Sequence, residues 1–280
     1  MILLSSLAFA LMAATVKFLG NMPISEKIFF RNIFGAVIVF NIIRKRGESL
    51  KVSNKKFLFL RLITGLLGMV SYYYALERIY LSDAVILHKM APFFVIIFAA
   101  VFLGEKIKNY QYIALALAVA GAIMVIKPRF DSSVIPSIIA LGSAFFSGIS
   151  YTTIRYLKKY DSPQVIVFYF LSFLAIIMLP VMLAGNFVMP TPQQWLGLLL
   201  LGIFGTAGQL LMTNAYHFAP AGELSIYTYA NIIFSTIIGL IIWTEIPDIL
   251  SISGGALIIL AGVINYKSKS ITESININPG

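Results

Sequence analysis

The chain consists almost entirely of apolar runs that are long enough to cross a lipid bilayer. A helix needs about 20 mostly apolar residues to span the hydrocarbon, and ten such runs follow one another with only short polar breaks. The predicted spans are Ile2–Leu19, Ile28–Ile43, Phe57–Leu76, Ala84–Leu103, Tyr110–Ile126, Val134–Ile154, Val165–Ala184, Trp195–Tyr216, Leu224–Trp243 and Ile249–Tyr266. The sequence therefore predicts an all-α, polytopic membrane protein.

The composition excludes most other classes of protein. Only 11% of the 280 residues are charged, against about 25% in soluble domains, so a soluble enzyme is excluded. Because there is no cysteine, the chain has no disulfide framework and no thiol chemistry. A net charge of +10 would suggest nucleic acid in a soluble protein. In a membrane protein it indicates basic loops at the cytoplasmic border, so no nucleic-acid partner is predicted.

The first run resembles a signal peptide in one respect, since LLSSLAFALMAA ends in small residues that suit a cleavage site. It has no basic segment ahead of it, so we expect it to be retained as a span. With the N-terminus in the cytoplasm, 13 of the 21 Lys and Arg residues fall in cytoplasmic loops, 5 fall on the outer side and 3 lie inside spans. This bias predicts a cell-membrane protein with both termini in the cytoplasm.

The two halves of the chain resemble each other at an offset near 140 residues. Phe102–Ile126 aligns with Ile242–Tyr266, which places Glu105 on Glu245. Each half has five spans, an odd number, so the halves enter the membrane in opposite orientations. Inverted repeats of this kind are typical of transporters with alternating access. The predicted units are a first repeat over residues 1–127, a second over 134–267 and a disordered cytoplasmic tail over 268–280.

Several motifs resemble those of a known family. They are EKIFFRNIFG (Glu26–Gly35), ALERIYLSDAVILHKMAPFF (Ala75–Phe94), FLGEKI (Phe102–Ile107) and AYHFAPAGELSIYTYANIIFSTIIG (Ala215–Gly239). With its five-plus-five spans, the whole chain resembles the drug/metabolite transporter superfamily in its EamA branch, although Thr-Glu replaces Gly-Glu in the second acidic motif. The resemblance implies a helical bundle in which the first four spans of each half surround a central cavity. It also implies transport of a small metabolite, often export.

Besides Lys17, which is counted above on the outer side, three cationic residues lie inside the predicted spans, where a charge costs at least about 2.5 kcal/mol. Arg61 lies four residues into the third span, next to the basic loop, and we expect it to snorkel to the border. Arg31 lies among phenylalanines near the start of the second span, which favours an inward-facing head. Lys89 lies about 8 Å deep, and the nearby Pro92 indicates an irregular helix that lines a cavity. We therefore expect Lys89 and Arg31 to bind substrate.

All eleven acidic residues lie at or beyond the end of a span, so a central proton or sodium site built on a carboxylate is not expected. Buried charges that are cationic predict a substrate with an anionic group, such as an amino-acid-like metabolite. Tyr229 aligns with Lys89 in the repeat, and His88 could carry a proton or make a structural hydrogen bond. The remaining candidate substrate contacts are polar or aromatic: His88, Tyr73, Gln209, Asn214, Tyr227, Tyr229 and Asn231.

Two other functions remain open on the sequence. A membrane-embedded lipid enzyme would need a nucleophile, a metal cluster or an acid pair within the spans. His88 and His217 have no metal-ligand spacing, so we expect no enzyme, no metal and no cofactor. A channel or regulatory membrane protein is disfavoured by the inverted repeat but is not excluded by it. The expected partners are a small metabolite and the lipid bilayer, with the chain as a monomer or homodimer.

Overall fold

The computed structural model describes residues 1–127, 132–157, 160–185, 187–218 and 226–277, and within these ranges it contains eleven α-helices and no strand. The first half holds α1 (Ile2–Phe18), α2 (Ile24–Arg46), α3 (Lys55–Leu76), α4 (Leu81–His88), α5 (Ala91–Leu103) and α6 (Asn109–Ile126). The second half holds α7 (Ile135–Leu157), α8 (Pro163–Ala184), α9 (Pro192–Phe218), α10 (Ala230–Trp243) and α11 (Ile249–Ile277). Short 3₁₀ turns precede α7 at Ser132–Val134 and α10 at Ile226–Tyr229.

The helices are those of a multi-pass membrane protein, as predicted. Within the described residues, seven helical segments are long and apolar enough to cross a membrane, and two shorter apolar helices accompany them. The segment Leu81–Phe102, which joins α4 and α5, counts as one of the seven. α2 is not among them, because it has charged residues in both its first and its last turn.

Turn chemistry explains where several helices end. Gly47 follows α2 and Gly104 follows α5, each with a positive φ that glycine adopts without strain. Asn54 precedes α3, and its side chain accepts a hydrogen bond from the backbone N–H of Phe57. Pro163 occupies the first turn of α8, where the missing N–H has no helical partner to lose.

The predicted fourth span, Ala84–Leu103, is broken in the structure. α4 ends at His88 and α5 begins at Ala91, which leaves Lys89–Met90 as a turn between two half-helices. Pro92 lies in the first turn of α5 and has no N–H to donate, so the regular hydrogen-bond pattern cannot run through this point. The kink predicted from Pro92 is thus a break in the helix.

The second half is irregular at the corresponding place. The 3₁₀ turn Ile226–Tyr229 ends where α10 begins at Ala230, and Tyr229 lies 140 residues after Lys89. The predicted ninth span, Leu224–Trp243, therefore has a 3₁₀ turn ahead of α10, and its first two residues lie outside the described ranges. Within the described residues, the break at Lys89 and the 3₁₀ turn that ends at Tyr229 thus occupy equivalent positions in the two halves of the sequence.

Helix packing mixes the two halves. α1 packs against α9 and α10, and α7 packs against α3 and α5. α2 packs on α8, and α6 packs on α11. In the last pair a Cβ added to Gly121 would lie 2.6 Å from the carbonyl oxygen of Gly254, so the two backbones approach without intervening side chains. The buried core lies between these pairs and contains the whole of the apolar part of α4.

The end of the chain differs from its prediction. A disordered tail was expected over residues 268–280, whereas α11 continues as helix through Ile277. No proline or glycine lies between Gly262 and Ile277, so nothing in the sequence stops a helix that has already nucleated. Residues 278–280 lie outside the described ranges.

Candidate substrate site

Lys89 lies at the break between α4 and α5. Its backbone N–H still closes the last turn of α4, on the carbonyl oxygen of Val85 at 3.0 Å. Its side chain is half-buried, and within the described part of the chain the ammonium has neither a hydrogen-bond acceptor nor a carboxylate partner. The backbone break therefore presents one unpaired positive charge at membrane depth, where charges are rare and functional.

His88 is held by two neighbours. Its Nδ1 lies 2.9 Å from the hydroxyl of Ser143, and its ring stacks on Tyr72 with 4.2 Å between centroids. The Ser143 hydroxyl donates to the carbonyl of Ala140 at 2.6 Å, so it accepts from His88, and Nδ1 carries the proton. Nε2 is then the free acceptor of a neutral imidazole. These contacts orient His88 between α3 and α7, beside Lys89.

Arg31 points into the bundle, as its phenylalanine neighbours predict. It is buried, and its Nη1 donates to Asn32 Oδ1 at 3.0 Å and contacts the sulfur of Met69. Its Nε has no partner within the described residues. Arg31 and Gln209 line a small cavity between α2, α8 and α9 with room for about one water molecule. The structure thus brings two of the predicted substrate contacts to one cavity.

Tyr73 lies close enough to Arg31 for the guanidinium charge to act on its hydroxyl. The side chain is 1% exposed, and the hydroxyl has no hydrogen-bond partner within the described residues. A buried hydroxyl without a partner is uncommon, because desolvation costs about 1–3 kcal/mol. Tyr73 therefore adds an unused polar group to the side of the bundle that holds Arg31.

The snorkelling predicted for Arg61 is wrong. The side chain is only 6% exposed, its Nη1 donates to the hydroxyl of Ser150 on α7, and its guanidinium lies 4.0 Å from the ring centre of Phe170 on α8. Helices α7 and α8 cover the position from which the side chain would reach the border. Gly65, one turn later, leaves room for the guanidinium, because a Cβ at this position would overlap it.

Tyr151 was not among the predicted site residues. It lies near enough to both Arg31 and Arg61 for their charges to act on its hydroxyl, yet 40% of its surface is exposed. No feature of its sequence neighbourhood distinguishes Tyr151 from the interfacial tyrosines that are common in membrane helices.

The second-half candidates are placed differently. Tyr229 is buried against α11, where a Cβ on Gly262 would lie 2.4 Å from its ring. Asn231 donates to the carbonyl of Ser6 on α1 at 2.9 Å. Tyr227 is 51% exposed, and the side chain of Asn214 lies outside the described residues. Tyr229 and Asn231 therefore occupy helix contacts, whereas Gln209, another predicted contact from this half, lines the cavity with Arg31.

One end of the bundle is rich in ion pairs, and we call it the ion-pair end. It contains Lys17, Lys27, Glu77, Asp83, Lys127, Glu245 and Asp248. Lys27 Nζ lies 2.6 Å from Glu77, and Lys127 Nζ lies 2.7 Å from Asp248. Glu245 pairs with Lys17 and also accepts the backbone N–H of Leu81 at 2.8 Å. Contacts between residues from opposite halves thus close this end.

Metal chemistry finds no support in this arrangement. Within the residues that the structure describes, no group of three His, Asp or Glu side chains lies close enough to hold an ion. The polar groups at the centre are instead cations, hydroxyls and an imidazole. Such a set can bind an anionic or zwitterionic molecule.

Comparison with known proteins decides the family. The model of the EamA-like transporter family matches residues 1–127 and 134–266. The chain belongs to this family. The match places this EamA-like chain in the drug/metabolite transporter superfamily. The chain is thus a membrane transporter and not an enzyme.

Named relatives cover nearly the whole EamA-like chain. A pseudopaline exporter, CntI, of Pseudomonas aeruginosa is 36% identical over 95% of this chain and 94% of its own. A riboflavin transporter of Brucella anthropi is 28% identical over 88% of both chains, and solute carrier family 35 member G1 of Homo sapiens is 27% identical over 92% of this chain and 75% of its own. A crystal structure with 18% sequence identity superposes with a TM-score of 0.66 over 94% of each chain, which shows the same fold.

Proposed function

We propose that the chain is a secondary transporter that moves a small metabolite with an anionic group across the cell membrane by alternating access. The observation that carries the proposal is the unpaired ammonium of Lys89 at the break between α4 and α5. A persistent charge at this depth needs a partner, and a transported anion supplies one only while it is bound. The relatives named as an exporter and a transporter of small metabolites support this reading.

Helix packing supports an inverted repeat of five spans. Suppose that the helices of the two halves correspond in chain order: α1 to α7, α2 to α8, α3 to α9, α4 with α5 to α10, and α6 to α11. Exchanging the two halves then converts the contact between α1 and α9 into the contact between α7 and α3. It also turns α1–α10 into α7–α5, and it leaves α2–α8 and α6–α11 unchanged. Two half-units related in this way can exchange conformations, which opens the site to each side in turn.

The proposed orientation follows the basic loops. With both termini in the cytoplasm, the ion-pair end faces the outside, and the pairs Lys17–Glu245 and Lys127–Asp248 hold the halves together there. Opening to the outside then requires these pairs to separate. Residue pairs such as Ser53–Asp161, 2.8 Å apart at the opposite end, would hold the halves together in the outward-open state.

The proposed cargo contacts come from both sides of the centre. Lys89 binds the anionic group, and Arg31 with Gln209 contacts the polar body of the cargo. His88 offers Nε2 as an acceptor for a cargo N–H, since Ser143 already accepts its Nδ1–H. An amino-acid-like metabolite, with one anionic and one donor group, fits these requirements, and we propose export as the direction.

Transport into proteoliposomes tests the proposal. Purified protein is reconstituted and offered a defined pool of amino acids, organic acids, sugars and nucleosides, and the trapped compounds are identified by mass spectrometry. We expect an anionic or zwitterionic compound to accumulate, and we expect Lys89→Ala to reduce that accumulation at least tenfold. A single lost charge-assisted hydrogen bond, worth about 1.5–3 kcal/mol, corresponds to a change of this size.

Lys106→Ala is the matched control, because Lys106 lies just past the same broken span but is exposed. It should transport at the wild-type rate. Equal transport by wild type and Lys89→Ala would remove Lys89 from the site while leaving the transporter assignment intact. If no compound accumulates with or without a membrane potential and a pH gradient, alternating-access transport is contradicted and a channel becomes the better reading.

A further inference from the structure

Arg61 is a buried cation that the proposed cargo contacts do not use. It lies on α3, with its guanidinium between α7 and α8. Arg31 lies on α2 and faces the cavity between α8 and α9. The two charges are near enough to repel each other. Two like charges in a low-dielectric interior destabilise the protein unless an anion lies between or beside them.

The chain itself supplies no such anion within the described residues. Neither Arg31 nor Arg61 forms an ion pair there. A guanidinium has five N–H donors, and the protein acceptors found for these two side chains are Asn32 Oδ1, the Met69 sulfur and the hydroxyl of Ser150. The Nε of each arginine is buried without a partner. The unused donors of both side chains are therefore available to a ligand.

Phe170 connects the two arginines. Its ring lines the same cavity as Arg31, and the guanidinium carbon of Arg61 lies 4.0 Å from its centre. One aromatic ring thus separates the Arg31 cavity from the second charge. The cavity holds only about one water molecule, so a metabolite enters only when α2, α8 and α9 separate or Phe170 rotates. Rotation of Phe170 would bring Arg61 into contact with the same space.

We propose that Arg31 and Arg61 form a two-arginine subsite with Phe170 between them, and that the cargo carries at least two anionic groups, such as two carboxylates. This inference rests on the proposed function and narrows its substrate class. Arg61 selects for the second anionic group, and Tyr73 and Tyr151, whose hydroxyls lie near Arg31, add donors to the same subsite.

Selectivity measured in proteoliposomes tests the two-arginine subsite. The probes are matched pairs that differ by one carboxylate: glutarate with butyrate, glutamate with glutamine, and citrate with its monoamide. We expect wild-type protein to accumulate the member with more carboxylates. Arg61→Gln should lower the ratio of dicarboxylate to monocarboxylate transport by about 10- to 100-fold, the change expected for one charge-assisted hydrogen bond. Arg61→Lys should retain an intermediate ratio, because it keeps the charge but loses the planar fork.

Arg78→Gln is the matched control. Arg78 lies just past the end of α3, and its guanidinium also lies on an aromatic ring, 3.7 Å from the centre of Tyr74, but it is exposed and paired with Glu77. Its substitution should leave the ratio unchanged. The ratio does not depend on how much protein inserts, so it remains informative if Arg61→Gln folds in low yield.

The outcomes separate this inference from the proposed function. If wild type accumulates only compounds with one or no anionic group, or if Arg61→Gln leaves the ratio unchanged, the two-arginine subsite is contradicted while the transporter assignment stands. If wild type accumulates none of the pool, both fall together. A purely structural role for Arg61 would lower the melting temperature and all transport rates equally without changing the ratio.

Discussion

The ion-pair end and the centre of the bundle treat positive charge in opposite ways. At the ion-pair end, Lys27 is fully buried, yet its ammonium lies 2.6 Å from Glu77 and also donates to two backbone carbonyls. At the centre, Arg31 and Lys89 lack any carboxylate within the described residues. Both regions lie in one apolar bundle, so the difference is not one of surroundings.

We propose that this difference separates charges that stabilise the fold from charges that bind cargo. A buried cation that is paired with a carboxylate has its charge compensated, and removing either residue of the pair leaves the other as a desolvated, unpaired charge. A buried cation without a carboxylate already destabilises the folded protein by the free-energy cost of its desolvation. Replacing it with an apolar residue should therefore leave the free energy of unfolding unchanged or raise it. Removing one charge should therefore lower the free energy of unfolding at the ion-pair end, and should leave it unchanged or raise it at the centre.

The largest effect is expected at the Lys27–Glu77 pair. Glu77→Leu leaves the fully buried Lys27 ammonium without its carboxylate, and we expect a loss of about 3–5 kcal/mol in the free energy of unfolding. The measurement is denaturation of the purified protein in detergent micelles, followed by circular dichroism.

The double variant Lys27→Met with Glu77→Leu provides the control, because it removes both charges at once. We expect it to recover at least half of the lost stability, since buried ion pairs are often replaced by apolar residues at little cost. If the double variant is as unstable as Glu77→Leu, the loss comes from packing and not from an uncompensated charge.

A smaller effect, of opposite sign, is expected at Lys89. Lys89→Met removes an ammonium that has no protein partner within the described residues and keeps a side chain of similar length, so the free energy of unfolding should stay constant or rise by up to about 2 kcal/mol. The same denaturation measurement applies, in the absence of metabolites. A loss of more than 1.4 kcal/mol, a factor of ten in the unfolding equilibrium, would show that Lys89 stabilises the fold and would remove the contrast with Lys27.

Much of the fold could be predicted from the sequence, because hydrophobic length and helix-breaking residues act locally. The multi-pass helical architecture follows from the runs of apolar residues, and the break after Lys89 follows from Pro92. The extension of α11 to Ile277 did not follow, since a polar segment attached to an apolar helix carries no local stop signal.

The site was predicted less completely, because the sequence gives the depth of a residue but not the neighbours it faces. Arg31 and Gln209 come from helices far apart in the chain and meet at one cavity. Arg61 was expected at the border because nothing near it in sequence shows that Ser150 and Phe170 cover it. Tyr229 looks equivalent to Lys89 in the repeat, yet it packs against Gly262.

The smallest effect is expected at the exposed edge of the ion-pair end, where Asp248 precedes α11. The pKa of its carboxyl lies below the ordinary value of 3.8, chiefly because Lys127 donates a hydrogen bond to it and also because the backbone N–H of Ser251 does. A lowered pKa in the folded state means that the carboxylate stabilises the protein above pH 3.8, and that this stabilisation disappears as the pH falls through the folded-state pKa.

Asp248→Asn keeps the helix cap and removes only the charge. We expect wild type to exceed this variant by roughly 0.2–0.5 kcal/mol at neutral pH, the range of solvent-exposed pairs, because more than half of the Asp248 side chain is exposed. Unfolding measured from neutral pH down to pH 3 should show the two proteins converging only at the acid end. A variant that is more stable than wild type at neutral pH would show that the Lys127 pair destabilises this end of the bundle.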